Sequence, residues 1–202
     1  MEIIIDRLGK RYQHGWVFRN LSFHFKSNLI YGISGRNGSG KSTFLKIISG
    51  LLSPSEGNIE YSSDSTSIKR EDVYKYLNVA APYTELLEEY TLYEMIDFHS
   101  GFKPANQSWD TKNWIEMMQL DSSAHRPMSQ FSSGMKQRVK LGLALYSKAK
   151  IIFLDEPTSN LDENAKTWFF QHLDQQRKNK LVFIASNEEV DFQFCGERIV
   201  LG

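Results

Sequence analysis

Short apolar, β-branched runs recur along the chain: EIII from Glu2, LIYGIS from Leu29, YLNVAA from Tyr76, KIIFLD from Lys150 and LVFIAS from Leu181. Continuous runs of this kind suit strands buried on both faces of a largely parallel sheet. Between them the pattern predicts helices over Lys41–Leu51, Thr91–Phe102, Trp109–Leu120 and Asn164–Lys178. The polar stretch SSDSTSIKRED, Ser62 to Asp72, reads as a loop or a short turn-rich excursion. From Tyr83 to Ala149 the strand signal vanishes. That predicts one α/β domain, with a core of about 1–82 and 150–202 around a mostly helical subdomain of about 83–149. Inside it, Leu141, Leu143 and Leu145 alternate as in a strand, while Met135, Val139, Gly142, Leu143 and Tyr146 share a helical face. Helix is the expectation there.

Composition narrows the picture. A chain of 202 residues can bury a sizeable single core. Its 24 basic and 24 acidic side chains cancel, so nothing pulls it broadly toward nucleic acid or anionic lipid. No nucleic-acid partner is expected. Cys195 is the only cysteine, which excludes an intrachain disulfide and fits a reducing cytoplasm. The first residues, MEIIIDRLGK, carry an acid at position 2 and too short an apolar run for a signal peptide. No stretch approaches the roughly 18 apolar residues of a membrane span. A soluble protein is expected, one that reaches a membrane only through a partner.

Chemistry enters at GRNGSGKS, which follows the LIYGIS run and opens an apolar helix. Gly35, Gly40, Lys41 and Ser42 match G-x-x-x-x-G-K-[ST], the P-loop. In such a loop, Gly35, Arg36, Asn37, Gly38, Ser39 and Gly40 curl the backbone so that successive N–H groups face one concavity. Lys41 brings a charge to the β- and γ-phosphates of a bound nucleotide, Ser42 suits Mg²⁺, and the helix start through Thr43 adds its positive end. The KIIFLDEP run delivers Asp155 and Glu156 to a strand end, where open α/β sheets bind ligands. Asp155 suits a metal through its hydration shell. Glu156 suits the orientation and deprotonation of an attacking water.

A second anion-binding pattern, FSSGMKQR from Phe131, pairs small residues with the start of a basic helix. Together with GRNGSGKS, FLDEP and SNLD, in this order and spacing, it resembles an ATP-binding cassette (ABC) ATPase from Tyr12 to the end. The resemblance implies a P-loop NTPase core with a largely parallel sheet and a helical subdomain that carries the family's signature. It also explains the second site. In the family, two cassettes pair head to tail, and each signature caps the γ-phosphate held by the other P-loop. Ser132 and Gly134 match the signature's serine and second glycine, and Asp162 matches the aspartate of the loop that crosses to the partner. Tyr12 stands where an aromatic residue stacks on adenine; an ordinary strand-end tyrosine is the other reading.

The chain departs from the family's pattern at three places. Phe131, Ser133 and Met135 replace the usual Leu, Gly and Gln of the signature. No glutamine occurs near Ala81 or Pro82, where the family places one that contacts Mg²⁺. Asn187 replaces the usual histidine at the γ-phosphate and can donate a hydrogen bond but carry no proton. The lysines and arginine of KQRVK, Lys136 to Lys140, read as a solvated face of the signature helix. His14, His24, His99, His125 and His172 show no ligand spacing, so a structural zinc site is not expected. Between Pro82 and His99, Glu85, Glu88, Glu89, Glu94 and Asp97 stand without a Lys or Arg. That stretch suits either a solvated acidic face or the docking of a basic helix from a membrane subunit. The reading that follows is an ATP-hydrolysing subunit acting as a dimer, most simply with a second copy, beneath a separate transmembrane subunit. It would sit in the cytoplasm against the inner face of a membrane. A soluble ATP-driven switch acting on protein or nucleic acid is the alternative.

Overall fold

The computed structural model describes residues 1–13, 15–105 and 110–202; His14 and Trp109, the first residue of a predicted helix, lie outside them. Two sheets form the core. An antiparallel sheet, ordered β2-β1-β4-β5, comprises β1 (Glu2–Tyr12), β2 (Gly15–Lys26), β4 (Glu56–Ser63) and β5 (Thr66–Ile68). A parallel sheet, ordered β6-β7-β8-β3-β9, comprises β3 (Ile30–Ser34), β6 (Leu77–Ala80), β7 (Ile151–Asp155), β8 (Leu181–Ala185) and β9 (Glu197–Val200). The central strands β7 and β8 are buried at every position, as their unbroken apolar runs require. One core layer holds α1 (Lys41–Ile48), with Phe44, Leu45, Ile47 and Ile48 buried, among residues of both sheets. The other joins the parallel sheet to α2 (Leu92–Phe102), α3 (Thr111–Met118), α4 (Ser133–Tyr146) and α5 (Glu163–Gln176).

Aromatic rings fasten the two sheets together. Phe25 of β2 meets Tyr31 of β3 and Phe183 of β8 edge-on, each at 4.9 Å between centroids, and Phe153 of β7 stacks on Phe183 at 5.0 Å. Such pairs contribute about 0.5–1.5 kcal/mol each beyond the area they bury. The hairpin β1–β2 is thereby tied to the strand that leads into the P-loop.

The expected helices form within a few residues of their predicted bounds. Thr91 caps α2 through a reciprocal pair with Glu94, and Asp110 caps α3 in the same way with Asn113. The segment Ser133–Tyr146 is helical, and its misleading leucine alternation has a simple cause. From Val139, all but Lys140 is buried, so the helix lacks the polar face that would reveal its period. The polar stretch Ser62–Asp72 is corrected. Asp64 and Ser65, with φ of 52° and 63°, turn β4 back into β5, and a 3₁₀ turn follows from Arg70. Among the described residues no helix is long and apolar enough to cross a membrane.

One buried titratable group joins α2 to the end of α4. His99 Nε2 lies 2.7 Å from Ser147 Oγ, and Ser147 gives its own proton to the Leu143 carbonyl, so His99 is the donor. Burial, aided by the charge of Lys103, lowers the His99 pKa from 6.5 to about 4. The unfolded chain therefore binds a proton that the folded one refuses. His99 contributes no penalty above pH 6.5, and stability falls as pH drops from 6.5 through 4, by on the order of 3 kcal/mol at the limit. Denaturation midpoints across that range should show the slope in the native chain and a shallower one in His99→Gln.

Candidate functional site

Strands β3, β7 and β8 are neighbours in the parallel sheet, and their carboxyl ends converge. From β3 the chain runs through Gly35 to Gly40 into α1, whose cap is Gly40 itself. Arg36, Asn37 and Gly38 form the exposed tip, and Ser39 N donates to Arg36 O at 3.0 Å to close the turn. Ser42 and Thr43 follow half-buried on the first turn of α1, and Val17 and Phe18 of β2 lie against Gly40. The Ser39 hydroxyl is buried without a partner, a polar atom left over in a loop otherwise organised by its backbone.

Lys41 is buried at the base of this loop. Its ammonium donates to Gly35 O at 2.9 Å, to Arg36 O at 3.4 Å and to Asn187 Oδ1 at 2.6 Å. Asn187 reaches the loop a second time, its amide donating to Asn37 Oδ1. Asn187, the second residue after β8, is thus bonded to both the base and the tip of the P-loop. Phosphate oxygens entering the loop must displace Asn187 from Lys41 or share the ammonium with it.

Asp155 ends β7 and is 1% exposed; neither carboxylate oxygen makes a well-formed hydrogen bond. Burial pushes its carboxyl above the ordinary range and Glu156 adds to this, while the nearby Ser42 hydroxyl, Lys41 and Lys46 pull it back. A buried acid so poorly satisfied, beside a hydroxyl, is what a hard cation with its own waters would complete. The donor set fits Mg²⁺.

Glu156 turns out of the strand with φ of 48°, a left-handed backbone that costs a non-glycine residue about 1 kcal/mol or more. Its amide is held by Ala185 O at 2.8 Å, and its Oε2 accepts from Ser186 Oγ at 3.0 Å and from Asn187 N at 3.4 Å. The carboxylate is therefore held by two successive residues that follow β8.

Ser132, Gly134 and Asp162 come together elsewhere. They line a groove of about 470 Å³ with Met135, Arg138 and Asn160, and no P-loop residue contributes to it. Ser132 caps α4, its Oγ accepting from Met135 N at 3.2 Å, and Asp162 caps α5 by accepting from Ala165 N at 2.8 Å. The Asn160 carbonyl packs on Gly134, which binds the start of α4 to the loop after Glu156. Tyr12 ends β1 with its ring half-exposed and the Lys10 ammonium 5.0 Å from the ring centroid.

Several neighbours of the site were not visible in the sequence. Gln137 belongs to the stretch read as a solvated face, yet it is buried and donates to Pro157 O at 2.9 Å and Glu156 O at 3.4 Å. Lys136 pairs with Glu88 at 2.6 Å, Arg138 donates to Met118 O at 3.5 Å, and Lys140 to Ala81 O at 3.4 Å. The face is engaged with protein, which corrects the expectation of free solvation. Tyr83 is the second. Lys46 lies 3.9 Å over its ring, and burial, with the Asp155 charge nearby, pushes its phenol up. An aromatic side chain thus lies near Asp155, close to where the family's glutamine is missing.

Known proteins share this sequence and fold. A family model described as ABC transporter matches residues 18–159. An uncharacterized ABC transporter ATP-binding protein of Bacillus subtilis, YybJ, is 31% identical over 196 residues, 94% of this chain and 87% of that protein. A second from the same organism, YxlF, is 32% identical over 87% of this chain, which spans only 58% of its length. A dimeric ATP-binding cassette solved in a post-hydrolysis state with ADP and Pi superimposes with a TM-score of 0.81 at 23% identity, over 98% of this chain and 94% of that one. With the P-loop, the acid pair and the second groove arranged as described, the chain belongs to the ABC transporter family and is one of its ATP-binding cassettes.

Proposed function

We propose that two copies of this chain close head to tail on two ATP molecules, and that closure and reopening drive a separate transmembrane subunit. The observation that carries this reading is the division of the anion-binding groups between two places. The P-loop and its acids stand at the ends of β3 and β7, whereas Ser132, Gly134 and Asp162 line a groove that shares no residue with the loop. A second copy supplies what each half lacks. In the closed pair the loop from Gly35 to Thr43 cradles the phosphates, Lys41 meets the β- and γ-oxygens, and Tyr12 stacks on the base. The start of α4 at Ser132 and Gly134 in the other copy caps the γ-phosphate, with Asp162 beside it. Ser42 and Asp155 would hold Mg²⁺, which would supply positive charge to the phosphate oxygens. Glu156, held by Ser186 and Asn187, orients a water and takes its proton as the oxygen attacks, giving ADP and phosphate. Asn187 turns from Lys41 to the γ-phosphate as a hydrogen-bond donor only. The loop 156–162 and the segment 82–88 are both bonded to α4, so the helical region 83–149 moves with the catalytic turn.

Mixing two inactive variants tests the composite site. Lys41→Ala removes a P-loop and leaves a signature; Ser132→Arg blocks a signature and leaves a P-loop. Hydrolysis returning on mixing, toward the one intact site per mixed dimer, supports the reading. No recovery, with mixed dimers demonstrated, would place both halves of the site in one chain.

The membrane subunit should meet the acidic stretch after Pro82, on the cytoplasmic side. A groove of about 360 Å³ there is lined by Pro82, Glu85, Leu86 and Glu88, with Lys136 and Lys140 on α4. Glu88 is paired with Lys136, Glu94 caps α2, and Asp97 accepts from Thr111. Glu85 and Glu89 remain exposed without an ion pair among the described residues. Reversing both to Lys should weaken assembly with the membrane subunit roughly tenfold at low salt, and less at high salt. ATP binding by the isolated chain should not change. Assembly measured against salt checks this, and an unchanged affinity would leave the stretch as solvated surface.

A further inference from the structure

A second buried acid stands behind Glu156, outside every motif of the site. Asp191 lies in the 3₁₀ turn Glu189–Phe192 and is 1% exposed, with both carboxyl oxygens buried and neither in a well-formed hydrogen bond. The turn holds it rigidly. Arg198 clamps Glu189 through two bonds of 2.9 and 2.7 Å and lies 4.0 Å over the Phe192 ring, and Phe192 packs against Gly32 of β3. The hydroxyls of Ser186 and Thr158 flank the Asp191 carboxyl. The charged or titratable groups facing it are Glu156 from the loop after β7, Glu188 from the loop after β8, Lys166 from α5, and the Cys195 thiol. Lys166 is already engaged by Glu163 at 2.8 Å.

Ser186 is the element that links this acid to the reaction. It is fully buried, accepts from Glu188 N at 3.0 Å and donates to Glu156 Oε2 at 3.0 Å. A hydroxyl has one proton to give and two lone pairs. An ionised Asp191 would compete with Glu156 for that proton and repel its charge. It would also leave a buried carboxylate with no bonded cation, an expensive arrangement. A protonated Asp191 removes both conflicts, because its O–H can point to the remaining lone pair of Ser186. We propose that Asp191 is a neutral buried acid acting as a positioning residue: its proton fixes the direction of the Ser186 hydroxyl, and Ser186 then holds the Glu156 carboxylate toward the attacking water. Burial raises the affinity of Asp191 for its proton against the opposing pull of the Ser186 and Thr158 hydroxyls, and the charges of Glu156 and Glu188 add to the rise, in agreement with this arrangement.

This inference rests on Glu156 being the base, so its test separates the two. Asparagine keeps the shape of a protonated aspartic acid and an N–H donor; leucine keeps the approximate volume and neither polar group. Asp191→Asn should retain most of the native turnover. Asp191→Leu should lose about tenfold in kcat, the effect of one hydrogen bond of ordinary net strength, with KM for ATP little changed. In the native chain kcat should fall as alkaline pH ionises Asp191, and Asp191→Asn should lack that limb. Loss of turnover in Asp191→Asn, or the same alkaline limb in both proteins, overturns the proposal. Infrared spectroscopy of the full chain without nucleotide gives a readout independent of Glu156 and of activity. A protonated-carboxyl carbonyl band at neutral pH, absent from Asp191→Asn, supports the neutral acid; identical spectra overturn it. Should Glu156→Gln prove fully active, the assignment of the base fails separately, while the infrared result still decides the state of Asp191.

Discussion

Glu156→Gln will stop steady-state hydrolysis, by roughly 10²–10⁴-fold, while ATP remains bound and the closed dimer accumulates. The substitution is close to isosteric. The amide oxygen can still accept from Ser186 Oγ and Asn187 N, the two groups that hold the native carboxylate at 3.0 and 3.4 Å. The left-handed backbone at Glu156 accompanies an amide bond to Ala185 O, which the side-chain change leaves in place. Only the capacity to take a proton from water is lost. In a cycle where ATP closes the dimer and hydrolysis reopens it, blocking hydrolysis leaves closure as the end point. Sedimentation should therefore show dimer with ATP and Mg²⁺ and monomer with ADP. Monomer alone, in a variant shown to hold ATP, would mean that this cassette closes only with a different one.

The parts of this site that were legible in the sequence are those whose chemistry depends on local backbone. Gly35 to Ser42 lie in one loop and one helix start, so residue order alone specifies a nest and a charge. Asp155 and Glu156 were legible because an unbroken apolar run has to place its next residue at a strand end. The antiparallel sheet was less visible. In β2 the inward positions run Phe18 and then Leu21, Phe23 and Phe25, and the change of parity falls at Asn20, whose φ is 58°. In β1 the same change separates Ile5 from Leu8, beside Arg7 with φ of 47°. Each bulge breaks the period-2 signal, so β2 went unannounced, and of β1 only the opening EIII read as a strand, one expected in the parallel sheet but found in the antiparallel one. β9 was hidden for another reason: of its four residues only Ile199 is buried. Gln137, Ser186 and Asp191 could not be read in advance at all. Their partners are backbone carbonyls or side chains some 20 or 30 residues away for Gln137 and Ser186, and no spacing rule connects them.

Two glycines of the same loop will respond unequally to alanine, and the contrast tests whether the P-loop is held from outside as well as from within. At Gly35, φ is 150°, and a Cβ would lie 2.3 Å from the Leu201 carbonyl oxygen and 2.5 Å from Ser39 Oγ. The first of these atoms cannot yield, because Leu201 N is bonded to Ser34 O at 2.8 Å and fixes that backbone beside β3. The loop itself must move. Since its N–H groups bind phosphate only when they converge, Gly35→Ala should lower ATP affinity by on the order of 100-fold, equivalent to losing two or three ordinary hydrogen bonds. Gly38 also has a positive φ, 81°, but a Cβ there meets nothing within 4 Å. Gly38→Ala should cost only backbone strain, about 1 kcal/mol, and so a fivefold to tenfold loss at most. Nucleotide titration by calorimetry checks both. Equal losses at the two positions would show that glycine is required here for backbone conformation alone, and that the wall formed by Leu201 does not shape the phosphate site.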